Sequence, residues 1–352
     1  MQELREQVSK KQGKYVLSRR SVLQGALAGS ALALGASLSG CSVLGLNRSR
    51  LNLGIAPGSQ TLWRYVAQRK DELLGARGYD ATFISYPDEA TLRSAFIGGK
   101  VDVIASLVPT VAALADDGLA VQLFLPIAWL HEGYPFITTA DSSIKGLKDF
   151  VGKRVATYPL DHPGMAYWRA LYLASTKLDL SALNPTTSLS TDQLLLAKQV
   201  DVACMGGVQW AALQPNSQFR KVTDLETEWK QLSSDNRLLV FGGYIARREF
   251  IQQHAQFVKD FVDVHRQALQ AYHSDRVRFL SVTAAYPNPP MSTADNQAQA
   301  TYLGYDDVTP DRLVLSDQDV SDYQKLFSLM AQAGYLPKAL SDIPSLFYRL
   351  PS

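Results

Sequence analysis

The sequence has few of the residues and motifs from which catalytic and metal centres are usually recognised. Only two of its 352 residues are cysteine, which excludes a disulfide framework and a zinc site built from cysteines. It contains no Gly-x-x-x-x-Gly-Lys-Ser/Thr loop, no Gly-x-Gly-x-x-Gly fingerprint after a strand, no His-Glu-x-x-His and no Gly-x-Ser-x-Gly. We therefore predict no catalytic residue, no cofactor and no metal.

The sequence also has almost no excess of charge of either sign, and the small positive excess is unevenly distributed. The net charge is +2, from 35 basic and 33 acidic residues. Residues 1–40 hold six basic and two acidic groups, which leaves 29 basic and 31 acidic groups in the other 312 residues. Because the basic excess belongs to the N-terminus and not to a folded face, the sequence argues against nucleic-acid binding.

The first 41 residues have the organisation of an export signal. Arg19 and Arg20 precede an uncharged run rich in Ala, Leu, Gly and Ser, from Gln24 to Gly40, and the pair resembles a twin-arginine signal. Leu38-Ser39-Gly40-Cys41 resembles a bacterial lipobox, in which the cysteine is acylated and the preceding bond is cut. We predict a signal peptide at 1–40, a lipid on Cys41 and a tether at 41–50. The alternative is an uncleaved membrane anchor, since about 20 uncharged residues can just span a bilayer.

The remaining chain alternates short apolar strands with helices, a pattern typical of α/β proteins with mostly parallel sheets. Its length favours two domains. We predict a discontinuous first lobe from 51–135 and 245–352 and an inserted second lobe at 136–244, with strands near 134–139 and 238–246 as hinges. His254 and His265, predicted to be at the surface or half-buried, lie too far apart along one helix to share a metal, and Cys204 in an apolar strand is predicted to be inert.

Candidate binding residues cluster where the predicted strands end. In an open α/β sheet, ligands bind beyond the carboxyl ends of the strands, where glycines allow close approach and helix N-termini offer free N–H groups. Aromatic rings near these ends or near the hinges would suit a ligand cleft. Each loop could equally be an ordinary cap or turn, and each ring could be core. The predicted ligand-binding residues are Ser59, Gln60, Trp63, Ser106, Trp129, Tyr134, Tyr158, Asp161, His162, Gly206, Gly207 and Tyr244.

Several segments resemble the solute-binding proteins of bacterial ABC importers for nitrate, sulfonate, taurine and thiamine-precursor pyrimidines. The similarity rests on the opening strand Leu51 to Pro57, the helix-to-strand turn Ala95 to Val103, the stretch Ser143 to Ala156, the Asp-Val pair in Val200 to Ala203, and Gly334-Tyr335-Leu336. The resemblance covers residues 51–347. It implies a two-lobed type II periplasmic-binding-protein fold with a two-strand hinge, which closes on a small solute.

The resemblance also implies the protein's partners and location. It suggests a monomeric, lipid-anchored protein at the outer face of the cytoplasmic membrane, delivering a small organic solute to an ABC permease and its ATPase. The predicted cleft has few basic side chains, and its aromatic residues favour a neutral or ring-bearing solute over an anion. Two alternatives stay open: an enzyme on the same fold, similar to pyrimidine synthases, with Asp161 and His162 as the acid/base pair, or a ligand-sensing module.

Overall fold

Ten strands form two five-stranded sheets in the computed structural model, which describes residues 49–56, 61–233, 236–287, 290–337 and 340–350. The strands are β1 (Ser49–Ile55), β2 (Tyr79–Ser85), β3 (Val103–Leu107), β4 (Val121–Trp129), β5 (Phe136–Thr139), β6 (Val155–Thr157), β7 (Thr186–Thr187), β8 (Val202–Cys204), β9 (Phe219–Thr223) and β10 (Val240–Arg247). The first sheet has the order β2-β1-β3-β10-β4 and the second the order β7-β6-β8-β5-β9.

Each sheet has four strands in one direction and a single reversed strand, so the prediction of mostly parallel sheets is confirmed. β1 pairs in parallel with β2 and β3, whereas β10 is antiparallel to both β3 and β4. In the second sheet, β6 is parallel to β7 and β8, and β5 is antiparallel to β8 and β9. The reversed strand of the second sheet is β5, its first strand along the chain. The reversed strand of the first sheet is β10, by which the chain returns from the second sheet.

Helices cover both sheets and begin where the sequence supplies caps. They are α1 (Thr61–Gln68), α2 (Lys70–Leu73), α3 (Glu89–Ile97), α4 (Pro109–Asp116), α5 (Pro163–Thr176), α6 (Thr191–Leu196), α7 (Gly207–Leu213), α8 (Leu225–Ser233), α9 (Arg248–Gln253), α10 (Ala255–Ser274), α11 (Arg276–Ala284), α12 (Thr293–Tyr302) and α13 (Asp317–Gln332). The Asp88 side chain accepts a hydrogen bond from the Thr91 N–H at 2.6 Å and so caps α3, and Pro163 occupies the first turn of α5. Within the described ranges, no helix combines the length and apolar character needed to cross a bilayer.

One large core joins the two sheets. Both sheets lie in one compact unit, and the main apolar cluster includes residues of the first sheet, the second sheet and α5. A smaller cluster, which includes Ile137, Ala203 and Trp210, fills the other face of the second sheet. β10 lies entirely in the first sheet, so the predicted lobe boundary between residues 244 and 245 falls inside a strand.

The burial of Cys204 agrees with the sequence prediction, whereas that of His265 does not. Cys204 is buried in β8, as predicted, and burial raises the pKa of its thiol well above the ordinary value. The prediction that His265 is exposed or half-buried is wrong, because the ring is fully buried in α10. Its Nε2 lies 2.8 Å from Tyr244 Oη and its Nδ1 lies 2.8 Å from the Phe261 carbonyl oxygen, so both ring nitrogens have partners in the core.

Candidate functional site

A cavity of about 270 Å³ lies between the carboxyl ends of strands from both sheets. Ala56 follows β1, Asp88 and Glu89 follow β2, Tyr158 follows β6, and Gly206 follows β8. The placement is the one expected for ligands of open α/β sheets. The lining residues are Ala56, Pro87, Asp88, Glu89, Tyr134, Tyr158, His162, Leu189, Gly206, Gly207, Val208, Gln209, Gln299 and Tyr302.

Four rings form a connected aromatic cluster in the wall of this cavity. Tyr134 is its centre: its ring meets Tyr158 at 5.4 Å and 86°, Tyr302 at 6.2 Å and 79°, and His162 at 5.7 Å and 67°. His162 in turn stacks on Tyr158 at 5.3 Å and 28°. Near-perpendicular rings are a favourable arrangement for aromatic pairs and give the cavity a corner lined by π-systems.

An unusual backbone segment places Tyr134. Glu132, Gly133 and Tyr134 have φ values of 57°, 61° and 43°, and two of these left-handed residues are not glycine. The Tyr134 N–H donates to Tyr302 Oη at 2.7 Å, and Trp168 Nε1–H donates to the Tyr134 carbonyl at 2.8 Å. Residues held in such sparsely populated conformations concentrate at binding sites, where the surrounding structure over-determines them.

Two glycines allow the aromatic cluster to pack closely. A Cβ on Gly164 would lie 2.6 Å from Tyr134 Cε2, and a Cβ on Gly207 would overlap the Tyr302 ring. Because Gly207 begins α7 beside the second sheet and Tyr302 ends α12, this contact holds an element of each half of the molecule against the cavity.

Two adjacent carboxylates lie at the start of α3. Glu89 is half-buried, and its Oε2 accepts a hydrogen bond from Ser106 Oγ at 3.0 Å. Burial raises the pKa of Glu89 from 4.5 to about 7, with a further contribution from the charge of Asp88, against the opposing effect of the Ser106 hydrogen bond. The exposed Asp88 carboxylate has a lowered pKa because it accepts the backbone hydrogen bond from Thr91. At neutral pH, Asp88 is therefore ionised and Glu89 is partly ionised.

His162 carries no charge at neutral pH. Its Nδ1 accepts a hydrogen bond from the Gly164 N–H at 3.0 Å, which caps α5 and leaves the ring proton on Nε2. Burial lowers the pKa of His162 from 6.5 to about 4, although the charge of Asp161 acts in the opposite direction. The acid/base pair considered from the sequence is not brought together in this cavity, because Asp161 lines a separate groove with Arg93 and Arg169.

The structure brings together only some of the residues predicted from the sequence. Tyr134, Tyr158, His162, Gly206 and Gly207 line the cavity, and Ser106 lies directly behind it through Glu89. The predicted Ser59 and Gln60, together with Arg19, Arg20 and Cys41, lie outside the described residues.

Three predicted aromatic residues lie in the core instead of the cavity wall. Trp63 is 1% exposed and packs edge-on against Phe83 at 4.9 Å, and Trp129 is fully buried with its ring 6.5 Å from that of Tyr305. Tyr244 is fully buried against His265. We exclude all three from the candidate site, because each lies in a buried helix or strand and its side chain packs in the core.

Five polar lining residues were not predicted from the sequence, namely Asp88, Glu89, Gln209, Gln299 and Tyr302. The end of β2 carried a usable signal, since the same strand-end rule that selected Tyr158 and Gly206 applies to Asp88 and Glu89. Tyr302 and Gln299 come from α12, which no local pattern connects to the cavity. Among the described residues, no group of His, Cys, Asp and Glu side chains could hold a metal ion.

Comparison with known proteins agrees with this architecture. Residues 61–276 match the sequence profile of the family described as NMT1/THI5 like. No protein of curated function matches the chain in sequence.

Solved structures show a similar fold at low sequence identity. The periplasmic aliphatic sulphonate-binding protein SsuA from Escherichia coli has a TM-score of 0.65 at 15% identity, over 85% of this chain and 97% of that one. The alkanesulfonate-binding protein SsuA from Xanthomonas axonopodis pv. citri, bound to MOPS, has a TM-score of 0.64 at 17% identity over 85% and 98%. The ligand-binding component of an ABC-type import system from Staphylococcus aureus, with zinc bound, gives 0.61 at 12% identity over 86% and 97%.

At these identities the solved structures establish the fold alone, which is that of periplasmic binding proteins. The sequence profile covers more than half of the chain. The chain therefore belongs to the NMT1/THI5-like family.

Proposed function

We propose that the protein is the solute-binding component of an ABC importer, held at the outer face of the cytoplasmic membrane by a lipid on Cys41. In this proposal it acts as a monomer, captures a small organic solute between the two lobes (51–135 with 245–352, and 136–244) and delivers it to a permease and its ATPase. The observation that carries the proposal is the cavity at the strand ends of both sheets, lined by aromatic rings. The family and fold support the same role. The proposal includes no chemical step.

Native purification followed by mass spectrometry tests the binding role. We expect a small molecule to travel with the protein, to be released by denaturation and to raise the melting temperature when it is added back. Solution scattering should then show contraction, because contacts from both sheets favour the closed arrangement. A protein that carries no solute and shows no thermal shift with a broad panel of metabolites would contradict the role.

The anchor is tested separately with the two cysteines of the chain. Cys41→Ser should move the protein from the membrane fraction to the soluble extracytoplasmic fraction and abolish labelling with a radioactive fatty acid. Cys204→Ser is the matched control, since Cys204 is buried in β8 and its replacement should leave labelling unchanged. Replacing Arg19 and Arg20 by lysine should retain the protein in the cytoplasm. Labelling that persists in Cys41→Ser refutes the predicted anchor.

A further inference from the structure

We propose that the solute is an organic cation, whose ammonium or protonated ring nitrogen lies against Glu89 and the rings of Tyr134, Tyr158 and Tyr302. This inference rests on the proposed binding function and specifies the charge of the ligand. The sulfonate and nitrate carriers that the sequence resembles bind anions, so the proposed ligand has the opposite charge.

The charge around the cavity is of one sign. Asp88 and Glu89 line it, and no Lys or Arg does so among the described residues. Arg93, one turn after Glu89 in α3, is paired with Asp117 and lines a different groove. A cation is therefore the ligand whose charge complements this site.

Two of the backbone donors beside the cavity are already used by the protein. The Gly206 N–H, directly before α7, donates to Tyr158 Oη and to Gln209 Oε1, both at 3.0 Å. At the start of α5, the Gly164 N–H donates to His162 Nδ1. The Tyr158 hydroxyl proton is also used, in a 2.6 Å hydrogen bond to Gln209 Oε1. A sulfonate entering here would lack these three donors and would lie beside two carboxylates.

The Glu89 carboxylate is placed to accept a ligand. Its Oε2 is fixed by Ser106, whose Oγ is in turn 2.8 Å from Thr110 Oγ1, and in the described part of the chain its Oε1 has no hydrogen-bond partner. Burial of a carboxylate with no cation beside it disfavours the ionised form, which agrees with the raised pKa of this group. An ammonium group in contact with Oε1 would restore the ionised form.

The aromatic walls suit the same ligand. A cation is attracted to the face of an aromatic ring by the ring quadrupole, and cages of several rings are used to recognise quaternary ammonium groups. The negative charge of Glu89 also reaches the cluster: the pKa of Tyr134 is raised well above its usual range, first by burial and then by Tyr302, Tyr158 and Glu89. The Glu89 carboxylate and the faces of the tyrosine rings therefore border the same cavity.

The size of the cavity limits the ligand. A volume of about 270 Å³ lies just below the range of about 300–1,000 Å³ typical of small-molecule pockets. The apolar side chains of Leu189 and Val208 complete the lining. The site therefore fits a small cation with an apolar or aromatic body and one charged group.

Isothermal titration calorimetry with three probes that share a benzyl group tests the charge preference. Benzylammonium, benzyl alcohol and phenylmethanesulfonate share a ring and differ in the charge of the head group. With the full-length protein at pH 8, we expect benzylammonium to bind at least ten-fold more tightly than benzyl alcohol, and phenylmethanesulfonate to give no binding heat. Equal or tighter binding of the alcohol or the sulfonate overturns the inference.

Substitutions at two positions, Glu89 and Tyr134, connect that preference to the site. Glu89→Gln should reduce benzylammonium affinity at least ten-fold and leave benzyl alcohol affinity unchanged. Glu249→Gln is the matched control, because Glu249 is also a first-turn glutamate, in α9, but is exposed and distant from the cavity lining. Tyr134→Leu should weaken the cation by a similar factor, whereas Tyr134→Phe, which keeps the ring, should not. A preference for the cation that survives Glu89→Gln places the charge recognition elsewhere and overturns the inference.

The failures of the two proposals are distinguishable. If a neutral or anionic solute is released from the natively purified protein, the binding role stands and the cation inference fails. If none of the three probes binds and no solute is released, both fail. If the released solute is a cation that competes with benzylammonium, both are supported.

Discussion

Replacing Glu89 by glutamine should stabilise the protein at pH 8 and have little effect on its stability at pH 4. In the folded protein the pKa of Glu89 is about 7, against an ordinary value of 4.5. Between these two pH values the folded state binds more protons than the unfolded state, so the free energy of unfolding falls as pH rises through this window. Glutamine removes this loss because it is neutral at every pH.

The magnitude follows from the same pKa difference. At about 1.4 kcal/mol per unit of pKa difference, the shift corresponds to at most about 3–4 kcal/mol. Solvent access to the half-buried carboxylate reduces this value. The low pKa values of about 4 for His162 and His265 act in the opposite direction, since stability is lost as pH falls below 6.5. Both proteins contain these histidines, so their effect cancels in the difference.

Urea unfolding of wild type and variant at pH 4, 5, 6, 7 and 8 provides the measurement. The difference in free energy of unfolding should grow in favour of Glu89→Gln as pH rises to 7 and then level off. Glu249→Gln should show no such trend. A difference that is constant with pH, or a wild type that gains stability over the variant toward pH 8, would refute the assignment of a raised pKa to Glu89. A gain in stability combined with a loss of cation binding is the pattern expected of a residue retained for function.

Two further predictions concern the close packing at Gly207 and a buried hydrogen bond of Tyr323. Gly207→Ala should destabilise the fold by about 1–3 kcal/mol, because the added Cβ overlaps the Tyr302 ring. Gly146→Ala, where no atom lies within 4 Å of the added Cβ, is its control in thermal unfolding. Tyr323→Phe should cost about 1–3 kcal/mol in urea unfolding, because the buried hydroxyl of Tyr323 donates to the Val240 carbonyl. An effect of Gly207→Ala or of Tyr323→Phe no larger than that of Gly146→Ala would contradict the contact from which it is argued.

The sequence predicted secondary structure best where the pattern is strong and local. The apolar run from Val121 to Trp129 predicts a strand, and the segment from Pro163 to Thr176 predicts a helix. β4 and α5 have these bounds in the structure. The continuous apolar run of β4 and the Pro163 at the start of α5 are strong local signals. α8 was not predicted, because it has few apolar residues in a polar segment and buries only Leu225 and Trp229 among them. The sequence predicts helical chain from Arg248 to the prolines that begin at Pro287, and this range includes α11.

Only part of the site could be predicted from the sequence. The end of a strand can be recognised from neighbouring residues, whereas the residues that complete a cavity wall come from distant parts of the chain. Tyr158 and Gly206 follow strands, and the sequence could select them. Tyr302 lies 168 residues from Tyr134, and only the folded chain brings its hydroxyl to the Tyr134 N–H. Trp129 and Tyr244 show the converse error, since proximity to a predicted hinge says nothing about which face of a strand a ring occupies.

The segment that leads from the first sheet to the second also positions the centre of the aromatic cluster. The left-handed conformation of Glu132 and Gly133 is held from α8: the Leu225 and Glu226 N–H groups donate to the carbonyls of Gly133 and Glu132 at 3.0 and 3.1 Å. The next residue is Tyr134, whose ring contacts three other cavity rings. Because one short segment sets both the path between the sheets and the position of this ring, a solute that contacts Tyr134 differently in two lobe arrangements would shift the balance between them. The strained backbone and the centre of the aromatic cluster therefore belong to one short segment, and under the proposed function this segment would connect occupancy of the cavity with the relative arrangement of the two lobes.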